Sequence, residues 1–190
     1  MAKYLDKTSL TELDEFRKQI FALRAEAYAK FKIDVLDNDT LSAVSIYEVV
    51  SQYDPDYNIN FARNGEDAIS NGIKIEQKAS RVEKKKRSGL YAEAAFQFHA
   101  MGDLEYPRYI LVSRDKSDLT LIRIYDISGK TNVKAIQAHL LEERRKWLEK
   151  GRLDESKMKR DVIQISESVL DACLSNVTRT MINGCEVVRG

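Results

Sequence analysis

The chain has little of what crosslinks, stiffens or interrupts a polypeptide. Its two cysteines, Cys173 and Cys185, among 190 residues exclude a disulfide framework and read as free thiols, which points to a reducing cytoplasm. Only two prolines and eight glycines leave no flexible linker. No repeat or low-complexity tract is present, so one domain with a substantial core is expected. No apolar run is long enough to span a bilayer, and the opening Met1-Ala2-Lys3-Tyr4 lacks the pattern of a signal peptide, so no membrane partner is expected. An excess of one charge is missing too. The net charge of +1 gives no bulk attraction to nucleic acid, although an acidic site and a basic groove can coexist near neutrality. His99 and His139 are not spaced with each other or with the cysteines to hold zinc. Phosphate-loop, Gly-x-Gly and Gly-x-Ser-x-Gly patterns are absent.

What is present is a clear order of periodic segments. Ser9 and Glu12 form a capping box, and Leu10, Leu13, Phe16, Ile20, Leu23, Ala27 and Phe31 recur at helical spacing, predicting a helix to about residue 31. Asp39 or Thr40 caps a second helix over about 41–53. A strand over 58–63 follows, then a hairpin. A helix is expected over about 89–101, two apolar strands over 107–113 and 119–127, and a long helix over 132–150 with Gly151 in the left-handed cap position. Residues 152–190 are ambiguous, with a strand at 162–165 and a helix at 167–174 both compatible with the pattern.

The hairpin carries the chemistry. Asn71-Gly72 between two β-compatible runs is a strong turn signal, because both residues tolerate positive φ. After it, Ile73, Ile75, Gln77 and Ala79 share one face, while Lys74, Glu76 and Lys78 share the other. A tight hairpin pairs Ala68 or Ile69 with Ile75 and brings Asp67 near Glu76 and Lys78. Two neighbouring carboxylates repel, and a divalent cation removes that cost. The same pattern also suits the solvent side of an ordinary hairpin. Glu48 lies four residues after Val44 and seven after Leu41, on a helical face that carries apolar side chains. It reads equally as an edge carboxylate or as an acid aimed at the site. Arg81, Lys84, Lys85, Lys86 and Arg87 follow the Glu76 strand and are either a solvated loop or a set of phosphate contacts.

Gly65-Glu66-Asp67-Ala68, the turn, and Ile75-Glu76-Gln77-Lys78 together resemble the PD-(D/E)XK nuclease superfamily, the fold of many restriction endonucleases. Glu66 stands where the signature has proline. A literal Pro55-Asp56 lies upstream but reads as a turn entering a strand. The resemblance covers about 41–127. It implies an α/β (α+β mixed) fold with a restriction-endonuclease-like core, a central mixed β-sheet flanked by helices. Residues 1–190 would form one nuclease domain, with 1–40 and 128–190 serving dimerisation and DNA recognition. It further implies Mg²⁺ held by Asp67 and Glu76, Lys78 as the catalytic cation, Glu48 as an added acid and Gln97 as a phosphate contact on the 89–101 helix. The activity implied is that of a type II endodeoxyribonuclease acting on double-stranded DNA as a homodimer. A structure-specific or repair nuclease of the same fold, resolvase-like, and a catalytically silent DNA-binding module are the alternatives.

Overall fold

The computed structural model describes residues 7–32, 34, 38–61, 66–85, 88–99, 104–151 and 162–190. Helical spacing in the first part of the sequence yields α1 (Lys7–Phe31) and α2 (Asn38–Val50). Helix α1 begins two residues before Ser9, so the predicted capping serine lies inside the first turn. Helix α2 ends before the turn that the 41–53 expectation includes. The chain divides into two compact units, Met1–Val44 and Ser45–Gly190. The sheet and all the residues discussed below from Tyr47 onward belong to the second.

That second unit contains β1 (Asn58–Ile59), β2 (Ala68–Ser70), β3 (Ile73–Val82), β4 (Ala95–His99), β5 (Arg108–Asp115) and β6 (Leu121–Ile127). These are followed by α3 (Lys130–Glu149), β7 (Val162–Ser166), α4 (Glu167–Cys173), β8 (Thr178–Ile182) and β9 (Cys185–Arg189). Seven strands form one mixed sheet in the order β1-β2-β3-β5-β6-β9-β8. Strand β3 runs parallel to β5, and β6 parallel to β9; the other neighbours are antiparallel. Strands β4 and β7 pair into a separate two-stranded ribbon.

Alternation along the strands divides the core into two layers. Ile75, Ile110, Val112, Ile124 and Val187 pack with Ile46, Val49 and Val50 of α2 on one face. Tyr109, Leu111, Tyr125, Ile127 and Val188 pack on the other, under the ribbon's Phe96, Phe98, Ile163 and Ile165 and under Val133, Ile136 and Leu140 of α3. The fold is therefore mixed α/β, with a central mixed sheet and helices on both faces.

Two expectations fail for a common reason. The segment predicted as a helix over 89–101 is strand β4, and Gln97 sits on it instead of on a helix. Phe96 and Phe98 are buried while Ala95, Gln97 and His99 are exposed, a period of two that becomes favourable only because β7 lies alongside. The crossover from β3 to its parallel neighbour β5 thus passes through a strand. The ambiguous C-terminal segment yields β7 and α4, and also the β8–β9 hairpin, which is not among the expected elements. Its turn is Asn183-Gly184, at φ 48° and 79°, the same left-handed dipeptide as Asn71-Gly72 at 49° and 76°. The strand expected over 58–63 is short, ending at Ile59, with residues 62–63 outside the described residues.

Candidate active site

The first hairpin has the register that the turn dictates: Ser70 pairs with Ile73, Ile69 with Lys74 and Ala68 with Ile75. One step beyond, the ladder continues into Asp67, whose N–H donates to the Ile75 carbonyl at 3.1 Å and whose own carbonyl accepts from Asn60 at 2.9 Å. With no further β2 residue opposite Gln77, the Asp67 carboxylate takes the place of a strand partner. Its Oδ2 accepts the Gln77 backbone N–H at 2.7 Å. The carboxylate therefore sits at the peptide that joins Glu76 to Gln77.

Glu76 and Lys78 point to the same face as Tyr109 and Leu111, their register partners on β5. Glu76 is 4% exposed. A carboxylate that deep needs a cation or several donors to remain ionised. Lys78 supplies the cation: its Nζ pairs with Glu76 Oε1, and its side chain is itself only 18% exposed. Tyr109 lies beneath. Burial raises its phenol pKa above the ordinary value, and the nearby Glu76 charge raises it further. Asp67 thus seats on the Glu76–Gln77 peptide and Lys78 pairs with Glu76, where the β2–β3 ladder ends.

Gln77 points to the opposite face and anchors the strand there by donating from Nε2 to the Tyr57 hydroxyl. Burial pushes the Tyr57 phenol well above its ordinary pKa, and the charges of Asp126 and Asp67 add to the shift. On that reverse face lies a feature that sequence reasoning missed. Arg108, 7% exposed, donates to Asp126 through Nε at 2.8 Å and Nη2 at 2.6 Å, and to Asp54 through Nη1 at 2.5 Å. Asp54 also accepts from the Ser70 hydroxyl at 2.8 Å. Burial raises the Asp54 pKa, but Arg108 and Ser70 outweigh it and hold the carboxyl below its ordinary value. This cluster ties the turn after α2 to β2, β5 and β6, and so fixes the frame on which the hairpin is mounted. The aspartate beside Pro55 that reads as a turn is structural, and Asp56 is exposed in the same turn. No local signal joins residues 54, 108 and 126 in sequence.

The other candidates lie elsewhere. Glu48 is on the exposed side of α2. The helix turns Ile46, Val49 and Val50 to the sheet and leaves Val44 52% exposed, so Val44 and Glu48 do not share the apolar face; Leu41's side chain lies outside the described residues. It also packs on the face opposite Glu76, and the structure does not bring Glu48 to the pair. The basic tract leaves from the far end of β3. At about 3.3 Å per residue, Lys84 is roughly 25 Å along the strand from Glu76. Arg81 is exposed near that end. Lys84 bridges to Tyr91, with its ammonium 5.6 Å from the ring centre. Lys85 bonds through its N–H to the Leu90 carbonyl at 2.7 Å, closing a loop that leads back toward β4. Lys86 and Arg87 lie outside the described residues. Gln97 is exposed on the outer side of the ribbon, opposite Gln164.

Asp67 and Glu76 offer hard oxygens of the kind Mg²⁺ takes, an ion that completes its shell with water and phosphate oxygens. Among the described residues no group of three or more His, Cys, Asp or Glu converges on a metal position, so an ion here would rely on such completion. Among the described residues no helix is long and apolar enough to cross a membrane. No protein-family model matches the chain, and no curated protein matches it significantly.

Proposed function

We propose that the protein is a Mg²⁺-dependent endodeoxyribonuclease, of type II restriction-enzyme kind, cleaving double-stranded DNA at a short specific sequence. The observation that supports this reading most is the seat of Asp67: its carboxylate accepts the Gln77 backbone N–H at 2.7 Å, on the strand whose flanking residues are the buried Glu76 and the lysine paired with it. A solvent-facing hairpin has no reason to bury an acid at 4% exposure and surround it with a lysine and a second carboxylate.

In this reading Asp67 and Glu76 are the metal ligands. A bound Mg²⁺ supplies polarisation of the scissile phosphate and a lowered pKa for a bound water. The Gln77 amide fixes the Asp67 carboxylate, so the ligand geometry is set before substrate arrives. Lys78, held at the site by Glu76, neutralises charge that develops on the phosphate. The restriction-endonuclease-like core is part of the proposal. Its support is the order β1-β2-β3-β5 with a parallel β3–β5 step, and its departure is the strand that replaces the crossover helix.

Digestion of a plasmid of known sequence with Mg²⁺, followed by end-sequencing of the fragments, tests the proposal. Discrete fragments with a common end sequence are the expected result. A smear, or cleavage confined to branched DNA, would transfer the same residues to a repair or resolvase-like activity. Binding of DNA with no cleavage in Mg²⁺ or Mn²⁺ would refute catalysis.

A further inference from the structure

Helix α1 has 25 residues and lies in the first compact unit. It carries an unusual load of apolar side chains in water. Leu10, Leu13, Phe16, Ile20, Leu23 and Phe31 are 47–65% exposed, and none of its residues over 8–31 is buried. A lone helix that gains nothing from packing is marginal in water. Phe21 and Tyr28, 48% and 55% exposed, stand on another side of the helix; the rest line up. Leu13, Phe16, Ile20, Leu23 and Ala27 follow a 3-4-3-4 spacing, the a and d positions of a heptad repeat; Ser9 and Lys30 hold the outer d positions, and Leu10 and Phe31 lie next to them on the flank. A 3.5-residue period is what a second helix in a left-handed coiled coil requires.

The charges beside the stripe indicate what that second helix is. One flank, the g positions, carries Glu12, Gln19 and Glu26; the other, the e positions, carries Leu10, Arg17, Arg24 and Phe31. In a parallel pair of identical helices, g of one faces e of the other five residues on. Glu12 then meets Arg17 of the other copy, and Gln19 meets its Arg24. In an antiparallel pair like flanks meet, placing Glu12 against Glu26 and Arg17 against Arg24. Arg17 bonds within its own helix to Asp14 at 2.7 Å, with both side chains exposed, so turning to a partner costs it little. Arg24 is held by Asp34.

We infer that α1 docks against α1 of a second copy of this chain, in a parallel two-stranded coiled coil. The inference rests on α1 alone and holds whether or not the Asp67 site is catalytic.

Sedimentation of the full chain over a wide concentration range tests it. A concentration-dependent dimer is expected. Leu23→Glu should raise its dissociation constant by about tenfold or more, with cooperative unfolding of the sheet-bearing unit retained. Glu12→Arg and Arg17→Glu, each alone, set like charges across the seam and should weaken self-association by about fivefold or more. Mixed together, these two variants should restore the dimer, because positions 12 and 17 then meet across both seams with opposite charges. A monomer at every concentration would overturn the inference, leaving the stripe to another part of the chain or another protein. A dimer indifferent to Leu23→Glu would also overturn it, and failure of the mixture to recover would overturn the parallel arrangement.

Discussion

Replacing Arg108 by alanine should destabilise the protein severely, and the structure sets the size. The guanidinium makes three charge-assisted hydrogen bonds, two to Asp126 and one to Asp54. Arg108 and Asp126 are 7% and 3% exposed. Removing one member of a buried ion pair leaves its partner charged and desolvated, which costs about 3–5 kcal/mol. That is a large share of the roughly 5–15 kcal/mol that holds a domain together, and it translates to a fall in Tm of roughly 6–20 °C for a chain of this size. The pH dependence separates this cause from a simple cavity. In the native protein Asp54 is held below its ordinary pKa, so its stabilisation is present above the carboxylate range and is lost as pH falls through the folded value. In the variant the half-buried Asp54 lacks the Arg108 cation, so its carboxyl is no longer held down and takes up a proton more readily. The stability gap should therefore narrow from pH 7 to about pH 4. Urea unfolding of both proteins across that range measures it. Arg108→Lys keeps the charge but loses the two-pronged bond to Asp126 and should fall between them. A loss under about 1 kcal/mol at pH 7, or a gap that does not close in acid, would show that the cluster does not hold the frame.

Asp67→Ala, Glu76→Ala and Lys78→Ala should each lower the rate of plasmid cleavage by about two orders of magnitude or more while the unfolding transition stays cooperative; wild-type rate in any of them moves the site elsewhere. Glu48→Gln should leave the cleavage rate within about twofold, because its helix packs against the face opposite Glu76; a slowing of about tenfold would restore Glu48 to the site. Replacing Lys84 and Lys85 by alanine should reduce the slope of log binding constant against log salt by about two if both touch phosphate across a long duplex footprint. An unchanged slope returns them to solvent.

The placing of Asp67 against the strand of Glu76 and Lys78 is legible in the sequence because it is local. Asp67, Glu76 and Lys78 lie within a dozen positions, and a two-residue turn with positive φ at Asn71 and Gly72 fixes both register and facing. Even the choice of Asp67 over Asp56 follows from the hairpin ladder. Glu48 is misplaced by a helical face read from Leu41 and Val44, whereas burial is carried by Ile46, Val49 and Val50. The basic tract looks adjacent in sequence, but an extended strand turns eight residues into about 25 Å. The Arg108 cluster joins residues 54, 108 and 126, which no periodicity links.

By itself, the sequence determined the helices α1, α2 and α3, the Asn71-Gly72 hairpin and the two-faced alternation of β3, because each depends on spacing within one or two turns or pleats. Only the tertiary structure decided that 95–99 is a strand, since Phe96 and Phe98 gain burial and ladder partners from β7 more than sixty residues away. It also decided that Glu76 is buried beside Lys78 and not displayed on a solvent face. Local pattern sets which residues share a side; what covers that side depends on segments distant in the chain, and there the environment of the site is settled.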